Sequence, residues 1–209
     1  HFYSFLILPI LFILAFNSIE YTSNKSDGGD EFQGAWSTSF VDLEGNKVQA
    51  VAILQDSFIA QTLYSHEDKE FYQTLGGSWH VVGDEMQFNV HFDSKDADNV
   101  GSSEKYRFAK DGDKITFQGD GKVWTKIDNG DTSPLANPWF FSGRMRNGEM
   151  SRRPLRARKT MKIISDTRFQ WVAYNDETGA FSGTGGGTYT HENGKYVENI
   201  EFFSKDGNR

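Results

Sequence analysis

From Gly34 to Asp128 apolar and polar residues alternate in short runs, broken by brief turns. In Met86 to Phe92, the residues Met86, Phe88, Val90 and Phe92 alternate with Gln87, Asn89 and His91. A period of two buries the first set and leaves the second wet. Applied along this stretch, the pattern predicts eight strands, at about 34–42, 47–55, 57–65, 70–81, 85–93, 103–109, 113–118 and 122–127. Glu44-Gly45-Asn46, Val82-Gly83-Asp84, Asp111-Gly112-Asp113 and Gly119-Asp120-Gly121 lie between them. These residues supply the positive φ angles that hairpin turns demand. No segment carries a sustained helical period. Strands that follow one another through tight hairpins form an up-and-down antiparallel meander, and eight of them close into a barrel without exposed edges.

After a linker at 129–137 (NGDTSPLAN) the strand pattern resumes, at about 138–145, 155–165, 167–175, 180–190 and 195–204. The second run repeats the first. A shift of 110 residues places Gly76 on Gly186, Gly77 on Gly187 and Trp79 on Tyr189. It also places Val90 on Ile200, Phe92 on Phe202, and Ser94-Lys95-Asp96 on Ser204-Lys205-Asp206. Recurrence in one register over this distance reads as two copies of one β unit. The diglycines Gly76-Gly77 and Gly186-Gly187 sit inside strands, where glycine marks a bulge or a sharp bend. The all-β chain is therefore expected to hold a complete barrel at 34–128 and a second copy at 138–209. That copy has counterparts of only five strands, so the natural protein is expected to continue past Arg209 by roughly the length of three strands with turns.

Phe5 to Phe16 (FLILPILFILAF) is an apolar run of twelve residues without charge. That length suits the core of a signal peptide, whereas a spanning helix needs about 20 residues. Residues 1–17 are expected to be a signal peptide or an uncleaved N-terminal anchor, and 18–33 a polar, Gly-containing linker. The protein is then exported, touching membrane only through this segment.

Composition narrows the chemistry. Aromatics are frequent, with 18 Phe, 8 Tyr and 5 Trp, as suits an antiparallel β protein with a large core. The net charge of -7 argues against nucleic acid as a partner, since that needs basic surface to displace counterions. With no cysteine, disulfides, thiolate catalysis and zinc-thiolate sites are excluded. The histidines (1, 66, 80, 91 and 191) show no helical metal spacing, and no cofactor is expected. Gly183 to Thr188 is Gly-rich, but it lacks the Lys of a phosphate loop and runs into a strand rather than a helix.

Gly34-Ala35-Trp36 on a first strand, a meander, and Trp124-Thr125-Lys126 on a last strand together resemble the lipocalin-like (calycin) barrels. The stretches 144–159 and 183–206 are similar to uncharacterised exported bacterial proteins that carry such domains in tandem. The resemblance implies that Trp36 packs at the closed end of the barrel and that Lys126 or Lys122 lies across its indole. Trp139 is the looser counterpart in the second copy, without the preceding Gly-x pair.

Two features stand out as candidate sites. Glu198 is expected on the face shared by Tyr196, Ile200 and Phe202, where the first copy has Phe88. A carboxylate on an inward face is costly unless paired. It is a ligand-contacting or pKa-shifted acid in the cavity, with Tyr196 and Trp171 as further ligand-binding candidates, or a structural pair with a basic residue, or an exposed residue if the register differs. The second feature is a run of seven cations among sixteen residues, from Arg144 to Lys159. Within it Arg156 and Arg158 alternate with Leu155 and Ala157, which suggests a strand face able to meet an anion. A solvated hairpin is the plainer reading. The function expected is non-catalytic binding of a small hydrophobic or amphipathic molecule, anionic if the arginines take part. The alternatives are a barrel enzyme using cavity carboxylates on a lipid or sugar, and a ligand-free interaction module.

Overall fold

The computed structural model describes residues 29–146, 149–152 and 154–205. The expected signal peptide or anchor and most of the first linker lie outside the described residues. No helix among the described residues is long and apolar enough to cross a membrane.

Eight antiparallel strands close into an up-and-down barrel. They are β1 (Gly34–Val41), β2 (Lys47–Gln55), β3 (Phe58–Ser65), β4 (Phe71–Val82), β5 (Glu85–Asp93), β6 (Ser103–Asp111), β7 (Lys114–Phe117) and β8 (Val123–Asp128). Each pairs with the next, and β8 returns to β1 through Trp36 opposite Lys126. A 3-10 turn at Asp30–Phe32 precedes β1 and tucks Phe32 into the barrel core beside Trp79 and Phe108.

The second part is a five-stranded open sheet and a separate hairpin. The sheet contains β9 (Asn137–Phe140), β12 (Arg158–Ile164), β13 (Arg168–Asn175), β14 (Phe181–Glu192) and β15 (Lys195–Phe203), with β9 and β15 at its edges. The hairpin pairs β10 (Gly143–Arg146) with β11 (Glu149–Arg152). A single strand at 138–145 was expected, so this hairpin is a correction. Residues 144–153 hold four Arg and one Glu against two Met. So charged a sequence carries little apolar pattern for the sheet, and Gly143–Arg146 pairs with Glu149–Arg152 instead. The expected strand at 155–165 correspondingly begins at Arg158. At the β14–β15 turn Asn193 and Gly194 both take positive φ, +51° and +75°, as a tight right-twisted hairpin requires.

The barrel and the sheet share one core. The outward face of the barrel contributes Ala35, Val51, Ile53, Ala60, Tyr64 and Phe92, which pack against Met161, Ile163, Val172, Tyr174 and Phe202 of the sheet. β2 is therefore buried on both faces, which explains its nearly continuous apolar run from Val48 to Leu54. Between the two parts, Asp128 accepts from Ala35 N at 3.1 Å, Ser165 Oγ at 2.9 Å and Thr167 N at 3.0 Å. Asp166 accepts from the backbone N–H groups of Gly130, Thr132 and Ser133, each at 2.8 Å. These carboxylates tie the linker into the fold.

Both diglycines are bulge sites. Gly76 opposes Phe92 while Gly77 opposes Val90, so His91 is the extra residue. Gly186 opposes Phe202 while Gly187 opposes Ile200, so Glu201 is the extra residue. A Cβ on Gly77 would lie 1.8 Å from Asn89 O, and one on Gly187 would lie 2.1 Å from Asn199 O. The strands approach too closely for any side chain there. Each bulge reverses the alternation. Phe92 is consequently buried outside the barrel, not with Met86, Phe88 and Val90 inside it.

Candidate functional site

The barrel interior is filled by side chains. Trp36, Trp79, Met86, Phe88, Val90, Ile115 and Trp124 are each at most 7% exposed. At the end capped by Phe32, the Lys126 ammonium lies 5.2 Å from the Trp36 ring centroid, and the indole Nε1 donates to Phe32 O at 2.8 Å. Lys122 instead lies over Phe40. A cation over an indole face contributes roughly 0.5–2 kcal/mol.

Directly paired residues form a row across the inside of the barrel: Trp36, Ala52, Gln61, Leu75 and Asp93. The corresponding row across the sheet is Trp139, Lys162, Trp171, Gly185 and Phe203. This row lies on the face turned away from the barrel. Ala52 is exchanged for Lys162, the polar Gln61 and Asp93 for the aromatics Trp171 and Phe203, and Leu75 for Gly185. The Trp139 indole repeats the geometry of Trp36, donating to Leu135 O at 2.9 Å. The Trp171 and Phe203 rings lean together over Gly185, with centroids 5.7 Å apart. A Cβ on Gly185 would meet both rings at 2.8 Å, so glycine is the residue that lets them converge.

Lys162 sits at the centre of this face. It pairs with Glu198 and lies 4.9 Å from the ring centroids of both Phe169 and Tyr196. Burial, then the adjacent Glu198 carboxylate, raises the Tyr196 pKa and keeps its hydroxyl neutral. An ion pair that remains about a third exposed contributes on the order of 1 kcal/mol or less. Ile200, Trp139 and Phe203 complete the face and are 50%, 49% and 44% exposed. Exposed apolar side chains gathered around one ion pair make this face the candidate contact surface among the described residues.

The sequence-derived candidates are partly brought together. Glu198, Tyr196 and Trp171 share this one face, with Lys162 as the partner that Glu198 required. Phe202 does not join them, because the Glu201 bulge turns it into the core shared with the barrel. Arg156 precedes β12 and is exposed. Arg158 opens β12, and strand alternation puts it on the Lys162 side, about 13 Å farther along; it too is exposed. Lys159 points the other way and pairs with Asp176. Of the remaining cations, Arg153 and the side chains of Arg144 and Arg146 lie outside the described residues.

Sequence reasoning missed Lys162, Gly185 and Phe203. The same 110-residue shift was a usable signal, since it lays Lys162 on Ala52. It also missed Glu104, which shares the inward side of β6 with Phe108 and opposes Phe88. Glu104 Oε1 is buried without a hydrogen-bond partner. Burial, with a lesser push from the Asp93 carboxylate, raises its pKa to about 7.

Comparison of the chain with protein-family models, with curated proteins and with solved structures returns no match.

Proposed function

We propose that this is an exported, non-catalytic binding protein, built as a tandem of lipocalin-like units. In this reading one unit is a solid scaffold and the other carries the ligand surface. The observation that carries it is the contrast between equivalent rows. Where the barrel has Ala52 and Phe88 facing inward, the sheet has the Lys162–Glu198 pair. Around that pair, Trp139, Trp171, Tyr196, Ile200 and Phe203 offer an apolar surface.

Recurrence of geometry supports the tandem reading. Ser94 Oγ accepts from Thr74 N at 2.9 Å, and Ser204 Oγ accepts from Thr184 N at 2.8 Å. Both diglycine bulges fall at the same place in the register. Trp36 and Trp139 each anchor to a carbonyl four residues earlier. The Lys126–Trp36 contact supports the lipocalin-like reading of the barrel.

The ligand is an amphipathic molecule with an anionic head. Its apolar body lies over the aromatic row, and its head meets the cationic side of the face, where Lys162 and Arg158 share a strand. The filled barrel argues against a ligand inside the first unit. The test is native mass spectrometry of the protein purified from the cells that make it. A retained small molecule, lost in a Trp171→Ala variant, is the expected result. Absence of any retained molecule, together with no binding of added dodecanoate, contradicts the proposal.

A further inference from the structure

Asparagine followed by glycine occurs three times, at 129–130, 147–148 and 193–194. Such a step can react with itself. The backbone nitrogen of the second residue attacks the asparagine Cγ, and glycine, without a Cβ, hinders this approach least. The N–Cγ bond forms, the Cγ–Nδ2 bond breaks, and ammonia leaves with the amide proton. Water then opens the succinimide at either carbonyl, giving aspartate or isoaspartate. The reaction requires a glycine N–H that can lose its proton and a backbone that can turn toward the side chain.

Asn129 and Asn193 are both exposed, so access to the side chain does not separate them. Their glycines differ. Gly130 is buried, its N–H donates to Asp166 Oδ2 at 2.8 Å, and its carbonyl accepts from Gln55 Nε2 at 2.7 Å. A Cβ on Gly130 would lie 2.4 Å from Gln55 Oε1 and 2.9 Å from Gly34 Cα, and its φ is +68°, so the fold itself demands glycine after Asn129. Gly194 is exposed, and a Cβ built there would meet nothing within 4 Å. Among the described residues no hydrogen bond engages the Gly194 N–H. The β14–β15 ladder ends at Glu192 opposite Lys195, so fraying of that last pair releases Asn193 and Gly194 to turn.

We propose that Asn193 is a site of spontaneous deamidation, and that the Asp166 carboxylate shields Asn129 from the same reaction. Conversion to aspartate places a new negative charge beside Glu192. Conversion to isoaspartate lengthens the turn by one backbone atom and removes the geometry that the tight hairpin requires. Either change falls at the end of the hairpin whose second strand carries Tyr196 and Glu198.

The test is to age the purified chain in mildly alkaline buffer and to follow each asparagine by peptide mass mapping, with aspartate and isoaspartate resolved by chromatography. Asn193 is expected to convert while Asn129 stays intact. The peptide with Asn147 lies outside the described residues and is read separately. In Asp166→Ala, conversion at Asn129 should rise by about tenfold, the rate equivalent of one lost hydrogen bond to a charged group. Asp166→Asn keeps an acceptor oxygen and should give a smaller rise. In urea, where neither glycine is held, wild-type Asn129 and Asn193 should convert at similar rates. An intact Asn193 in the native chain overturns the proposal, as do equal native rates at the two positions. So does an Asn129 rate unchanged in Asp166→Ala, or a difference that persists in urea, because the protection would then come from the local sequence.

Discussion

Phe71 and Phe181 stand 110 residues apart in sequence and face each other in space, their rings within 4° of parallel and 6.4 Å apart. Around them the exchange is reciprocal. Phe92 packs on Tyr174 at 5.0 Å, and Phe202 stacks on Tyr64 at 5.2 Å. A shift of 110 residues converts the first of these pairs into the second. The two parts thus meet through equivalent outer faces, in the manner of an isologous interface. Tyr64 Oη also donates to Glu201 at 2.9 Å, and Arg168 donates to the same carboxylate at 2.8 Å.

Because this core is shared, the barrel and the sheet should unfold as one unit. Phe202→Ala is expected to cost about 3–5 kcal/mol, and Tyr64→Phe about 1 kcal/mol, since Glu201 keeps Arg168. Urea unfolding followed by far-UV circular dichroism and by tryptophan emission should give coincident transitions, shifted together. Separate transitions for the two probes would mean that the interface contributes little.

Glu104 sets a pH dependence inside the barrel. Its pKa is raised from 4.5 to about 7, so folding favours the neutral acid. The stability tied to that proton is fully present below about pH 4.5 and is lost as pH rises through about 7. Glu104→Gln removes the ionisation while keeping the size. The variant should match the wild type in acid and exceed it above neutrality, as measured by urea midpoints across this range. A difference independent of pH would show that Glu104 is not held neutral by the fold.

Asp166 has the opposite sign. Partial burial pushes its pKa up, but hydrogen bonds from Ser133, Thr132 and Asp131 outweigh this and hold it below 3.8. Its contribution is present above that value and is lost as pH falls through the lowered pKa. Asp166→Ala leaves four linker N–H groups without their acceptor and is expected to cost about 1–3 kcal/mol. Amide hydrogen exchange should then quicken at 130–133 and stay slow in the centre of the barrel. Unchanged exchange in the linker would contradict the capping role.

Strand positions were legible because alternation and turn chemistry agree. Eight strands of the barrel and four of the five sheet strands fall within three residues of their expected bounds, and only the 138–145 strand breaks. Facing was less legible. A bulge reverses parity after one residue, and His91 and Glu201 carry no mark that distinguishes them from ordinary strand positions. The diglycines opposite them were the cue, read as a bulge or a bend but not followed across to the partner strand. The doubly apolar run Val48–Leu54 announced that something covers the barrel from outside. Lys162 passed unnoticed because a lysine in a strand ordinarily reads as solvated surface. Its aromatic neighbours lie on other strands, where only the register brings them together.

The five tryptophans provide the most direct test of the ligand surface. Trp36, Trp79 and Trp124 are at most 6% exposed inside the barrel, whereas Trp139 and Trp171 stand on the sheet face. Their indole N–H resonances can be followed separately by NMR while dodecanoate is titrated into the isotopically labelled chain. Binding at the aromatic face should shift the Trp139 and Trp171 signals saturably, leave the barrel three in place, and weaken in Lys162→Ala. Shifts confined to Trp36, Trp79 and Trp124, or no shift at any of the five, would contradict it.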